Sequence, residues 1–377
     1  MKKVLFVATV VKTHINAFHL PYLKMFKDKG FSTYVAASND FENNDECVIP
    51  NCDCYVDVEF SRSPLSPLNV IAYKKLKALI EKEKFDIIHC HTPVGSVLTR
   101  LSVKNSQFKP YVIYTAHGFH FYKGAPIINW IFFYPIEKYL SRYTNTLITI
   151  NSEDYKCALK FHCLDVRFIN GVGVNCESFK FVENEFNLLE EELNLSKTDF
   201  ILLSVGELTK RKNHELIISC MEDIVKYNKA IKYLICGSGE LNNYLQKIIN
   251  EKNLNENVKL LGFRKDINKI IAFSDLFIFP SKQEGLPVAL MEAMAGGLPC
   301  IVSNIRGSRD LIDQGKGGFC INNSQEEYIE KIKHLYNNPA EMLAFSTYNR
   351  SKIIEFSNET ISKEMNKLYD TIINRID

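Results

Sequence analysis

Short apolar runs alternate along this chain with stretches of helical periodicity. Residues 3–9 read as a strand; apolar and polar positions then recur at helical spacing over 14–29, and Gly30 closes that helix. A second strand follows at 32–38. A strand–helix–strand opening of this length is a right-handed crossover unit. The pattern continues with helices near 68–83, 95–104, 127–141 and 152–161, and with strands at 85–90, 111–116, 146–150 and 166–170. This predicts a doubly wound parallel sheet, whose ligands bind outside the carboxyl ends of its strands. The glycine-rich turn Gly171-Val172-Gly173 marks a hinge, and the pattern then restarts. Helical residues 185–193 lead into strands at 200–205, before Gly237, at 258–261 and at 275–279. Helices at 324–337 and 339–356 and an amphipathic one from 359 to about 375 complete the chain.

The polar residues cluster where those strands end. Lys12, Thr13, His14 and Asn16 follow the first strand, with no G-x-G-x-x-G, which argues against a nicotinamide enzyme. His89, His91, His117 and His120 stand at neighbouring strand ends with one carboxylate, Asp86, nearby in sequence, too few ligand types to predict a metal site. His117 reads either as a neutral ring at the ligand edge or as a structural histidine tying the Gly118 turn. In the second half, Lys210-Arg211-Lys212 precedes a helix. Cations there oppose the helix dipole, so a phosphate clamp is the reading that gives them a purpose.

The densest unit is the strand, loop, helix and strand over 275–303. Glu284 sits in its loop, and Glu292 lies about two turns into its helix. Between them Gly285, Leu286 and Val288 offer backbone N–H groups at a helix N-terminus, an anion cradle. A nucleotide-sugar suits such an arrangement, with amides for the diphosphate and carboxylates for ribose and sugar hydroxyls. Two surface glutamates would have the same spacing.

Composition narrows this little. The 377 residues suffice for two domains, and 46% hydrophobic with 24% charged residues is ordinary for a globular chain. Net charge is +2, which implies no nucleic-acid partner. Residues 1–170 carry 21 Lys+Arg against 15 Asp+Glu, or +6; the remainder carries −4. That basic half could face an anionic membrane or a diphosphate lipid, or could be solvated helix faces. Eleven cysteines without a C-x2-C pair, several in apolar strands, indicate free thiols in a reducing compartment. No cleavage site follows the apolar start and no apolar stretch approaches a membrane span, so a cytoplasmic protein is expected. Residues 124–136, with the only tryptophan, read equally as an interfacial amphipathic segment or as a core helix.

Glu284 and Glu292, within EGLPVALMEAMAGGLP, resemble the E-x7-E signature of family 4 retaining glycosyltransferases. HTPVG at 91–95 and the run YTAHGFHFYKGAP to YPIEKYLSRYT resemble the capsule, exopolysaccharide and O-antigen members. The resemblance covers nearly the whole chain. It implies a GT-B fold: two Rossmann-like domains, 1–172 and 173–355, facing each other across a cleft, with 356–377 returning as a helix to the first. It further implies transfer of a hexose or N-acetylhexosamine from a UDP-sugar to a polyprenyl-diphosphate saccharide, by an enzyme peripheral to the inner membrane face. By the same resemblance Glu284 and Glu292 hold sugar and ribose, His117 lies near the reacting carbon, and Gly206 and Lys212 meet the diphosphate, with Arg211 or Lys210 supplying the charge of the family arginine that Glu207 replaces. Phe263 and Arg264 lie in the loop that reads the base, and Lys12, His14 and His91 are acceptor-side candidates. The family has Arg after the strand-end glycine; this chain has Glu207. No D-x-D occurs, so no metal or other cofactor is expected. A UDP-sugar epimerase or a non-catalytic nucleotide-sugar scaffold would share these features.

Overall fold

The computed structural model describes residues 1–43, 46–61, 63–179 and 186–376. The chain forms two compact units. One comprises Met1–Val172 together with the chain from Ile361 on; the other is Gly173–Thr360.

The first unit holds a seven-stranded parallel sheet. Its strands are β1 (Lys3–Val10), β2 (Ser32–Ser38), β3 (Cys54–Asp57), β4 (Ile87–His91), β5 (Tyr111–Ala116), β6 (Thr146–Thr149) and β7 (Asp165–Phe168). They lie in the order β3-β2-β1-β4-β5-β6-β7. The central strands are buried along nearly their whole length, as a sheet covered on both faces requires. The strand order reverses between β1 and β4, so the carboxyl ends of those two strands form the switch-point crevice.

The second unit repeats the plan with β8 (Phe200–Val205), β9 (Ile231–Cys236), β10 (Val258–Gly262), β11 (Leu276–Phe279), β12 (Cys300–Ser303) and β13 (Gly318–Ile321). The order is β10-β9-β8-β11-β12-β13, again all parallel, with the switch point between β8 and β11.

The final helix, Asn358–Ile376, buries Ile361, Met365, Tyr369 and Ile372 in the first unit's core. Tyr369 meets Tyr22 and Phe26 edge-on and hydrogen-bonds His89 Nδ1 at 2.7 Å. The helix is therefore part of the first unit, as the fold class implied.

Three sequence expectations need correction. The single helix expected over 14–29 is broken. Val11–Ile15 forms a π-helical turn, and a regular helix starts only at Leu20, where Pro21 lacks the N–H that a longer helix would need. β3 and β13 were not expected as strands; β3 is a half-exposed edge and β13 is four residues starting at a glycine, so neither shows an apolar run. The helix expected over 339–356 ends at Lys352 and passes into a 3-10 turn.

Candidate active site

Each unit gathers candidate side chains at its own switch point.

In the second unit, β8 ends at Val205 and leads into Gly206, and β11 ends at Phe279, ahead of Ser281-Lys282-Gln283-Glu284. Lys282 N–H donates to the Arg211 carbonyl at 2.8 Å, and the Asn213 amide donates to the Pro280 carbonyl at 3.2 Å, so the two loops are stitched together. Across that seam Glu284 Oε1 accepts from Arg211 Nη1 and Lys212 Nζ, both at 2.8 Å. Lys212 is buried, with Nζ 4.7 Å from the Phe279 ring centre. Burial lowers its pKa from that of a free lysine, with Glu284 opposing. Its stem also explains Gly206: a Cβ there would stand 3.0 Å from Lys212 Cε.

Glu292 is different. It is half-buried on the helix Val288–Ala295, and burial alone pushes its pKa up to about 7. No side-chain partner relieves it among the described residues. The amides of Gly285 and Leu286, just ahead of the helix, and of Val288, its first residue, likewise donate to no protein carbonyl outside the helix ladder. The loop carrying them is braced from behind. Arg306, which sequence reasoning passed over, donates from Nε to the Glu284 carbonyl at 2.9 Å and is 4% exposed. Gly307 lies against Gly285, where a Cβ would meet the Gly285 carbonyl oxygen at 2.4 Å. The seam thus offers two clustered cations, free amides and one unpartnered carboxylate.

Two candidates lie apart from that cluster. Phe263, just past β10, is 73% exposed. Arg264 is a correction: its guanidinium is occupied by Asp266, at 2.9 and 2.7 Å, and by Glu192. With these donors engaged, Arg264 holds the loop's shape, and the exposed Phe263 ring and the backbone are what the loop presents to solvent.

In the first unit the strand ends gather histidines. His117 Nε2 lies 3.4 Å from His91 Nδ1; the His14 and His117 rings are 4.9 Å apart and edge-on; His19 stacks on His91 at 3.9 Å. One nitrogen from each of His14, His19, His91 and His117 falls within 4.8 Å of the others, so the four rings could hold a cation. The sequence pointed to His89, His91, His117 and His120 as the neighbours instead. His89 turns away to Thr115 Oγ1, at 2.8 Å, and to Tyr369, while the His120 ring stacks on Phe133. Burial, then the neighbouring rings, holds His14, His19 and His91 well below the usual imidazole range, and burial lowers His117 to about 4. All four are therefore neutral at pH 7. His91 is 1% exposed, so this acceptor-side candidate stands behind the surface, whereas His14 and His117 are half-buried at it. The Lys12 and Thr13 amides both donate to the Asp40 carboxylate, which fixes the turn that presents His14. His19 and Asp40 were invisible in sequence because their partners are brought to them only by the fold.

Two family models match the chain. "Glycosyl transferase 4-like" covers residues 3–152, and "Glycosyl transferases group 1" covers 185–352. The putative glycosyltransferase EpsD of Bacillus subtilis (strain 168) is 36% identical over 373 residues, spanning 98% of this chain and 96% of its own. The chain belongs to the family 4 glycosyltransferases. A second relative of this glycosyltransferase is the UDP-Gal:alpha-D-GlcNAc-diphosphoundecaprenol alpha-1,3-galactosyltransferase of Escherichia coli, 32% identical over 320 residues and 82% of each chain. The crystal structure of Anabaena HepE in complex with UDP and glucose shares the fold, with a TM-score of 0.81, 16% identity, and 98% and 100% coverage of the two chains. The enzyme is thus a GT-B glycosyltransferase of the surface-polysaccharide type. Among the described residues no helix is long and apolar enough to cross a membrane.

Proposed function

We propose that this enzyme transfers a hexose or N-acetylhexosamine from a UDP-sugar, with retained anomeric configuration, to a polyprenyl-diphosphate saccharide. The observation that carries the donor side is the seam in the second unit. Arg211 and Lys212 supply charge for a diphosphate leaving group, the amides of Gly285, Leu286 and Val288 supply hydrogen bonds, and unpartnered Glu292 accepts the ribose hydroxyls. On this reading the cations replace a metal, and no cofactor is needed. Glu284 orients the two cations and offers its second oxygen to the donor sugar. His117, neutral throughout the working range, serves as a hydrogen-bonding ring near the reacting carbon. No side chain stands as an evident nucleophile, so the departing phosphate takes the acceptor proton.

The acceptor class is supported by the diphosphoundecaprenol substrate in the Escherichia coli relative's name. It is supported as well by the helix Ile127–Leu140. That helix packs Trp130, Phe133 and Tyr134 inward while leaving Ile127, Ile128, Ile131 and Phe132 more than half exposed. The segment is both a core helix and an outward apolar face, suited to the inner surface of the cytoplasmic membrane. A UDP-release screen over UDP-sugars, with and without a short-chain polyprenyl-diphosphate saccharide, tests the proposal. UDP freed only when donor and acceptor are both present is the expected result, with the anomer read by NMR. A new UDP-sugar formed without acceptor would replace the proposal with epimerisation.

A further inference from the structure

A cavity of about 670 Å³ lies in the first unit beside the histidines. Its lining divides by element. The strand ends contribute Thr9, Thr13, His14 and Thr92, whereas the helices Pro93–Lys104 and Ile127–Leu140 contribute Val97, Leu98, Phe133 and Ile136. The one carboxylate on its wall, Glu137, is neutralised by a two-point pair with buried Arg100, at 2.8 and 3.1 Å. The polar rim therefore adjoins the His14–His117 pair, and among the described residues the rest of the lining carries no unpaired charge and is mainly apolar, Asn69, Tyr114 and His120 being its other polar side chains. Ile136 and Leu65 line it and are also 44% and 95% exposed, so the cavity opens beside the outward apolar face of the helix Ile127–Leu140. A third feature marks its polar end. Thr92 is a β-branched residue held at φ +61°, a strained conformation for such a side chain. The Thr9 hydroxyl, 2.6 Å away, pins its side chain there.

We infer that this cavity is the binding site for the isoprenoid stem of the acceptor, with its phosphates and sugar at the threonine rim. The volume falls in the range of small-molecule sites. Lining without an unpaired charge selects a hydrocarbon, and the mouth faces the side from which a membrane-held chain would arrive. A bare saccharide would leave most of this wall unused. The inference rests on the polyprenyl reading of the acceptor given above.

The test uses farnesyl diphosphate and methyl diphosphate as probes on the full chain. Trp130 is the only tryptophan, and its ring lies 5.5 Å from that of Phe121 on the cavity wall, so its fluorescence reports occupancy. Farnesyl diphosphate should shift that emission saturably, and methyl diphosphate should not. Val97→Phe, at a half-buried position where a larger ring extends into the cavity, should weaken farnesyl binding at least about tenfold, the loss expected for two buried methylenes. Ile136→Asp at the mouth serves if the first variant does not fold. Equal response to both probes, or an affinity unmoved in both variants, overturns the inference. Transfer assays separate the two levels. Equal KM for farnesyl and methyl acceptors would remove the cavity's role and leave the transferase reading intact. Farnesyl binding without transfer from any UDP-sugar would do the reverse.

Discussion

Replacing Glu292 by glutamine should stabilise the free enzyme and weaken its hold on the donor. Burial raises this carboxyl from 4.5 to about 7, and nothing charged compensates it. For an acid whose pKa is higher in the folded than in the unfolded state, stability is greatest below the unfolded value and falls as pH rises through the folded one. The shift corresponds to about 3 kcal/mol lost at pH 8 and under about 1 kcal/mol at pH 5. Glutamine keeps the shape without ionising. Glu292→Gln should therefore raise the melting temperature at pH 8 by roughly 6–12 °C, given about 2–4 °C per kcal/mol for a unit of this size, and change it little at pH 5. Differential scanning fluorimetry at the two pH values reads this directly. Donor binding should move the other way, because a hydrogen bond to a carboxylate is worth about 1.5–3 kcal/mol, or roughly tenfold to a hundredfold in Kd. Wild-type affinity for UDP-glucose, whose diphosphate diester does not titrate here, should be about tenfold weaker at pH 6 than at pH 8, since only the ionised carboxylate accepts both ribose hydroxyls. Titration calorimetry measures it. A variant less stable than wild type at both pH values, or UDP-glucose affinity flat from pH 6 to 8, would refute the argument.

Three further outcomes are expected. Lys212→Met should lower kcat by about a hundredfold or more, because it removes charge stabilisation of the leaving diphosphate in a dry site; steady-state kinetics with UDP-sugar decide it. Tyr369→Phe should lower stability by about 1–3 kcal/mol by leaving His89 Nδ1 without its partner, visible in urea unfolding, while UDP affinity stays within about twofold. Dialysis against EDTA should leave transfer unchanged; loss restored by one transition metal would reassign His14, His19, His91 and His117 as its ligands.

What the sequence made legible follows from what burial does to a strand. β1, β8 and β11 are covered on both faces, so their apolar runs stand out and fix the alternation of the fold. β3 borders only β2 and keeps mixed residues, so periodicity passes over it. Local spacing also exposed Glu284, Glu292 and Lys212, because one loop and one helix carry the amides and carboxylates together. The contacts that set their roles were not legible. Glu284 reads as a free carboxylate until Arg211 and Lys212 arrive from another strand end, and Arg264 reads as a free cation until Glu192 does. Arg306 is one more arginine in a loop; only the close approach of Gly307 to Gly285 turns it toward the Glu284 carbonyl.

The placement of Tyr369 has a consequence for how the protein is made. Met1–Val172 leaves the ribosome before the second unit, yet four side chains of its core, Ile361, Met365, Tyr369 and Ile372, are synthesised only after that unit. Until they emerge, Phe26 and His89 lack their cover, and the early-made sheet waits with an open flank. Folding of the second unit can finish meanwhile, since Gly173–Thr360 is complete in itself. The order of completion is thus the reverse of the order of translation. A chain stalled before Ile361 would carry a finished second unit together with an unfinished, exposed first unit, a form suited to capture by chaperones and proteases rather than to partial activity.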